Sequence, residues 1–326
     1  MSVTKSIVGL AIGRLLYLGK LSSLDEPVCE FFPTWRSGPK REILVRHLLS
    51  QTSGLAADRT TESIYASKDF VQFALEADVE SPAGTRFFYN NRATNLLAGI
   101  VERAAECKLD RFMADEFFAP LGIHQWSWTH DQSGTPHAMS GLSLRASDLA
   151  KFGQIMINRG TWEGTRLVSE DWVSESSVAS QPYYPHYGLL WWLVPESVEF
   201  TIDDSILHAW RTANPPVDER FIERVLPLKD RRFTREGFRN AVTKALGIEP
   251  TDSGVMEWNR NTRQRGLPEV RTLPSRIIGV YGEGYLGQYL VVLPGSQTVA
   301  VLQRTGREPF DKPTEFLDFV RRFEQP

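Results

Sequence analysis

Cysteine is almost absent from this chain: its 326 residues include only Cys29 and Cys107. Two thiols make no disulfide framework, and with no C-x-x-C and no regular Cys/His cluster the sequence implies no metal site. Excess charge is also missing. With 37 basic and 40 acidic residues the formal net charge is −3, so nothing global steers the chain toward nucleic acid. Long apolar runs are lacking as well: the longest, residues 7–18, is broken by Gly9, Gly13 and Arg14 and is too short to span a bilayer. That run has neither the basic lead-in nor the small-residue cleavage site of a signal peptide, so the sequence as written reads as cytoplasmic and free of the membrane. What is present is an ordinary globular composition, 41% hydrophobic and 24% charged. At roughly 150 residues per domain, the length suggests two domains or one domain with a large lobe.

Apolar periodicity and turn residues predict helices over 2–20, 43–49, 70–75, 92–106 and 146–158, with Ser2 or Thr4 near the first cap and Gly19 and Gly160 as stops. The tail differs. Residues 277–281, 288–293 and 298–303 are β-rich, and Pro294-Gly295 between the last two predicts an antiparallel meander. A further strand is expected within 187–194 and a closing helix at 316–323. The segment 196–275 is polar, with helical patches at 205–211 and 235–246. Its interleaved basic and acidic residues over 219–244 read as a solvated helical face rather than an anion-binding surface.

Three spacings carry chemistry. Ser2-Val3-Thr4-Lys5 fits S-x-x-K, which on a helix sets an ammonium one turn from a serine hydroxyl. The free N–H groups and dipole of a helix start also favour a nucleophile and an oxyanion. Ser37 to Lys40 repeats the pattern, but Gly38 and Pro39 forbid a regular helix there. Tyr89-Asn90-Asn91 is the only Y-x-N, placed between the Pro82–Gly84 turn and a helix. A lysine beside Tyr89 would favour its phenolate, and Asn91 could bond Lys5 and orient a substrate carbonyl. Gly282 to Gly287 matches G-x-G-x-x-G, yet a β-rich run follows it where a dinucleotide site needs a helix. His124, His130 and His137 lack ligand spacing, and His47 reads as a residue of a helix start rather than a base.

With these residues in view, the chain resembles the class C β-lactamase-like serine hydrolases: penicillin-binding proteins, β-lactamases, family VIII carboxylesterases and 6-aminohexanoate-dimer hydrolases. The likeness rests on the Ser2–Lys5 motif, on His47 through Leu55 (HLLSQTSGL), on Pro82 through Asn91 (PAGTRFFYNN) and on Gly141 through Gly153 (GLSLRASDLAKFG). It implies an α/β (α+β) fold, an antiparallel sheet flanked by helices with a helical lobe beside it. On that reading residues 1–182 hold the nucleophile helix and the mainly helical lobe. Residues 183–195 and 276–326 form the sheet portion, and 196–275 form an insertion that could act as a lid.

The resemblance also implies roles. Ser2 attacks an ester or amide carbonyl, Lys5 or Tyr89 accepts its proton, and Asn91 positions Lys5 and the substrate. The backbone N–H groups of Ser2 and Tyr285 form the oxyanion hole, and Gly282, Gly284, Trp191 and Trp192 line the substrate. No cofactor or metal is implied, and the partner is a small-molecule ester or amide.

Relatives that recognise penicillin place a cation where this chain has Gly282. Its loss removes a charge-assisted hydrogen bond worth about 1.5–3 kcal/mol, and Glu283 would repel an anion. An esterase or linear-amide hydrolase is therefore expected ahead of a β-lactamase or DD-peptidase. The remaining alternative is a catalytically silent binding relative or a truncated remnant. Strands that precede the serine helix in the family are not found before Ser2, which would leave a sheet edge unpaired.

Overall fold

The computed structural model describes residues 1–58, 60–247, 252–273, 275–306 and 313–324. These divide into two compact units, one of residues 1–194 and 278–326, the other of residues 195–277.

The first unit is organised around α1 (Val3–Tyr17). Apolar residues surround this helix on every side, as expected of a helix with no solvated face, and Ile7, Val8, Leu10, Ala11 and Ile12 are fully buried. It packs against α3 (Leu96–Ala105), which follows the short α2 (Asn91–Thr94). The single helix expected over 92–106 is thus two helices with Asn95 at the break.

The sheet has four strands, β1 (Trp192–Pro195), β2 (Ile277–Gly284), β3 (Gln288–Leu293) and β4 (Thr298–Leu302), in the order β4-β3-β2-β1, with β3 antiparallel to both its neighbours. The meander forms as the Pro294-Gly295 turn predicts, with Leu293 opposite Thr298. Strand alternation separates its two faces. Tyr289, Val291 and Leu293 pack with Leu317 and Val320 of α5 (Pro313–Arg321). The opposite face meets α4 (Ala146–Ile157), where Gly153 lies so close to Val299 that a Cβ would stand 2.6 Å from its Cγ1. This mixture of helices around an antiparallel sheet is the expected fold class.

The second unit has its own core, in which Trp210, Phe221, Ile222 and Trp258 are buried together. It contains helices Asp204–Arg211, Glu219–Val225 and Arg235–Ala245 and a three-stranded antiparallel sheet centred on Glu199–Thr201. Among the described residues, no helix is long and apolar enough to cross a membrane.

Candidate active site

Ser2 is the N-cap of α1, and the next turn brings Lys5 beneath it, with Nζ 3.0 Å from Ser2 Oγ. Lys5 is 2% exposed, and its second partner is the carbonyl of Met139, which accepts from Nζ at 2.8 Å. Burial disfavours the ammonium form and lowers the Lys5 pKa to about 7. The amino group of Met1 is pushed below its usual value too, by burial and then by Lys5.

Tyr89 arrives on a loop held from below by the Gln51–Gly54 turn. Phe88 N donates to Gln51 O at 2.8 Å, and Asn90 N donates to the Gln51 side chain. Asn90 then caps α2, accepting from Ala93 N at 2.9 Å and donating to Leu55 O at 2.9 Å. Gly54 cannot be another residue: its φ is +72°, and a Cβ would stand 2.0 Å from Ser81 O. The motif 47–55 therefore serves as the footing of the tyrosine loop. His47 belongs to that footing, its Nδ1 accepting from Leu44 N at 3.1 Å at a helix start, in a neutral state favoured by burial.

The Tyr89 hydroxyl is hydrogen-bonded to Ser2, and its ring lies with its centroid 5.0 Å from Lys5 Nζ. Trp192 stacks on the other side of the ring at 5.6 Å. Enclosure raises the Tyr89 pKa to about 12, with Glu283 adding to the rise. The phenolate expected from a neighbouring lysine is thus not favoured: desolvation of the ring outweighs the opposing pull of the Ser2 hydrogen bond.

Strand β2 runs past the start of α1. A Cβ on Gly282 would stand 2.9 Å from Ser6 Oγ, and one on Gly284 would stand 2.8 Å from Met1 Cβ and 3.1 Å from Ser2 N. These glycines admit the nucleophile helix itself. Glu283 alternates to the other sheet face, where Tyr289 Oη donates to it at 3.0 Å. Past Gly284 the chain turns, with Leu286 and Gly287 at positive φ, and leaves Tyr285 71% exposed.

A cleft of about 620 Å³ opens at this point, lined by Ser2, Asn91, Tyr285, Tyr65, Ser140 and Met139 among others. Ser2, Lys5, Tyr89, Asn91 and Tyr285 are thus gathered in one place. Trp191 is not among them: it is fully buried and packs in the core, which corrects its assignment to the substrate wall. Trp192 backs Tyr89. Lys5 Nζ donates to the Met139 carbonyl rather than bonding Asn91 as expected, and Asn91 is among the residues lining the cleft. Sequence reasoning missed Met139 because a backbone carbonyl carries no residue-type signal. It also passed over Asn95, whose signal was a buried amide inside an apolar helical run. Among the described residues, no group of three or more acidic, His or Cys side chains is assembled to hold a metal ion.

The family model described as Beta-lactamase matches residues 1–318. Protein flp of Staphylococcus aureus is 26% identical over 154 residues, 45% of this chain and 31% of that protein. The 6-aminohexanoate-dimer hydrolase of Paenarthrobacter ureafaciens is 28% identical over 192 residues, 53% of this chain and 48% of that enzyme. The matches thus span about a third to a half of the length of these curated relatives. Two solved structures share the fold over 99% of this chain. One is a protein from Bacillus anthracis assigned as a 6-aminohexanoate-dimer hydrolase, with a TM-score of 0.64, 15% identity and 70% of that chain covered. The other, from Bacteroides dorei and assigned as a β-lactamase, has a TM-score of 0.63, 17% identity and 85% of that chain covered.

Proposed function

Because this chain belongs to the Beta-lactamase family, we propose that it is a serine hydrolase that cleaves a neutral ester or linear amide through an acyl-enzyme on Ser2. The observation that carries this reading is the buried Lys5, 3.0 Å from Ser2 Oγ with a pKa near 7. A lysine so placed is substantially neutral at neutral pH and can take a proton, as a solvated lysine cannot.

In the neutral state the hydrogen bond reverses, and Ser2 Oγ–H donates to Nζ. As Oγ forms its bond to the substrate carbonyl carbon, that proton passes to Lys5. The N–H groups of Ser2 and Tyr285 stabilise the resulting oxyanion. Tyr89, with a pKa near 12, keeps its proton; it hands that proton to the departing oxygen or nitrogen and recovers one from Lys5. Water then attacks the acyl carbon and gives a proton to neutral Lys5, which passes it to Ser2 Oγ as the acyl bond breaks.

The preference for a neutral substrate follows from the cleft: among the described residues lining it, no side chain carries a formal charge. Position 282 supplies no cation, which disfavours a β-lactam carboxylate. The test is turnover of p-nitrophenyl acyl esters and a linear oligoamide beside nitrocefin. Hydrolysis of the esters or amide that disappears in Ser2→Ala, with nitrocefin nearly untouched, supports the proposal. Nitrocefin as the fastest substrate overturns the ester/amide preference, and turnover unchanged in Ser2→Ala overturns the nucleophile.

A further inference from the structure

Asn95 stands where α2 and α3 are interrupted, and it is 1% exposed. A buried amide must find partners for both its ends. Here Asn95 Nδ2 donates to Asn91 O at 3.2 Å, and Asn95 Oδ1 accepts from Met139 N at 3.2 Å. The carbonyl of the same residue, which belongs to the next peptide unit, accepts from Lys5 Nζ at 2.8 Å, and Nζ reaches Ser2 Oγ at 3.0 Å. Hydrogen bonds and the Met139 backbone therefore link the start of α2, through Asn95, to Lys5 and Ser2.

We propose that Asn95 is a positioning residue: it fixes residue Met139 as the acceptor for Lys5 and so sets where Lys5 stands against Ser2. The inference rests on the reading of Ser2 and Lys5 as nucleophile and base, and it names a residue that touches neither substrate nor the reacting atoms. The chemistry at 95 is specific. One end of the side chain must donate to a carbonyl and the other must accept from an N–H, which an amide does and an ionised carboxylate or an aliphatic group does not. The titratable groups facing Lys5 are the Met1 amino group on its own helix start and Tyr89 on the loop; Asn95 and Met139 contribute neutral groups alone.

Two full-length variants, Asn95→Leu and Asn95→Asp, test this with two readouts. The first is the pH dependence of Ser2 labelling by a fluorophosphonate. The second is the Lys5 pKa from competitive acetylation with acetic anhydride, read by mass spectrometry without any need for catalysis. Asn95→Leu is expected to slow labelling at least tenfold and to lower the Lys5 midpoint by half a unit to one unit, because the ammonium loses a fixed acceptor. Asn95→Asp, when ionised, keeps the acceptor for Met139, loses the donor to Asn91 O and adds negative charge. It should recover only part of the labelling rate lost in Asn95→Leu and raise the midpoint by about one unit. Unmoved midpoints in both folded variants overturn the proposal, whatever happens to the melting temperature. If Asn95→Leu fails to fold, Asn95→Asp decides by the same midpoint. Wild-type protein whose Ser2 resists the probe would refute the hydrolase reading, while the anhydride titration still reads the grip of Asn95 on Lys5.

Discussion

Lys5 shows what a functional residue costs its own fold. Its pKa falls from 10.5 to about 7 on burial, which at 1.36 kcal/mol per unit is a differential of roughly 4–5 kcal/mol against the folded state at neutral pH. The sign follows from linkage. Between about 7 and 10.5 the unfolded chain binds a proton that the folded chain does not, so this group favours folding more as pH rises through that window. Lys5→Met removes the penalty and leaves the Met139 carbonyl short of a donor, a loss of about 1–3 kcal/mol. The variant should melt a few degrees higher at pH 7 while losing Ser2 labelling, a trade of stability against activity. A lower melting temperature would show that Lys5 is held there without strain. In the wild type, the acylation rate should rise with pH to a plateau above about 7, since Tyr89 stays protonated throughout this range.

At the scale of elements, much of the fold was legible from periodicity and turn residues. The helix at 70–75 and the helical patch of 235–246 lie where their apolar spacing and caps put them. The meander follows from a β-rich pair around Pro294-Gly295. The interruption at Asn95 was not legible, because local propensity favours one long helix and the competing bonds come from Met139, 44 residues away. The state of Tyr89 was misread for a related reason: the neighbouring lysine is visible in sequence, whereas the burial that raises the Tyr89 pKa is tertiary. Close approaches give a further expectation. A Cβ on Gly13 would stand 2.6 Å from the Trp172 ring, itself 2% exposed. Gly13→Ala should therefore lower stability, since overpacking of about 1–3 kcal/mol exceeds the roughly 1 kcal/mol gained in helix propensity. An unchanged or raised melting temperature would mean that Trp172 yields freely. Histidines set a pH limit. Burial lowers the pKa of His47, His137 and His186 below the usual 6.5. The unfolded chain protonates first, so stability is complete above about 6.5 and is lost as pH falls through that value toward the folded pKa values. Melting temperatures measured from pH 7 to pH 5 should decline; a flat profile would contradict the neutral buried state.

For the whole molecule, the central division is between the unit that carries Ser2 and the unit of residues 195–277. The second unit leaves and re-enters the chain at adjacent points, with Glu196 N donating to Arg276 O and Ser275 Oγ donating to Ser197 O, each at 2.8 Å. It can therefore be excised with a short linker. The sequence expectation that the 196–275 insertion acts as a lid predicts that the excised protein keeps Ser2 labelling by a small probe and accepts a wider range of acyl groups. An unchanged substrate profile would remove that role. The account as a whole stands on Ser2 being a nucleophile made by Lys5, and one measurement addresses it directly: fluorophosphonate labelling across pH, with the modified peptide mapped by mass spectrometry in wild type and Lys5→Ala. The account predicts an adduct on Ser2, a rate that climbs with a midpoint near pH 7, and at least a hundredfold loss in Lys5→Ala. A folded wild-type protein with no adduct on Ser2, or with labelling indifferent to Lys5, would contradict it.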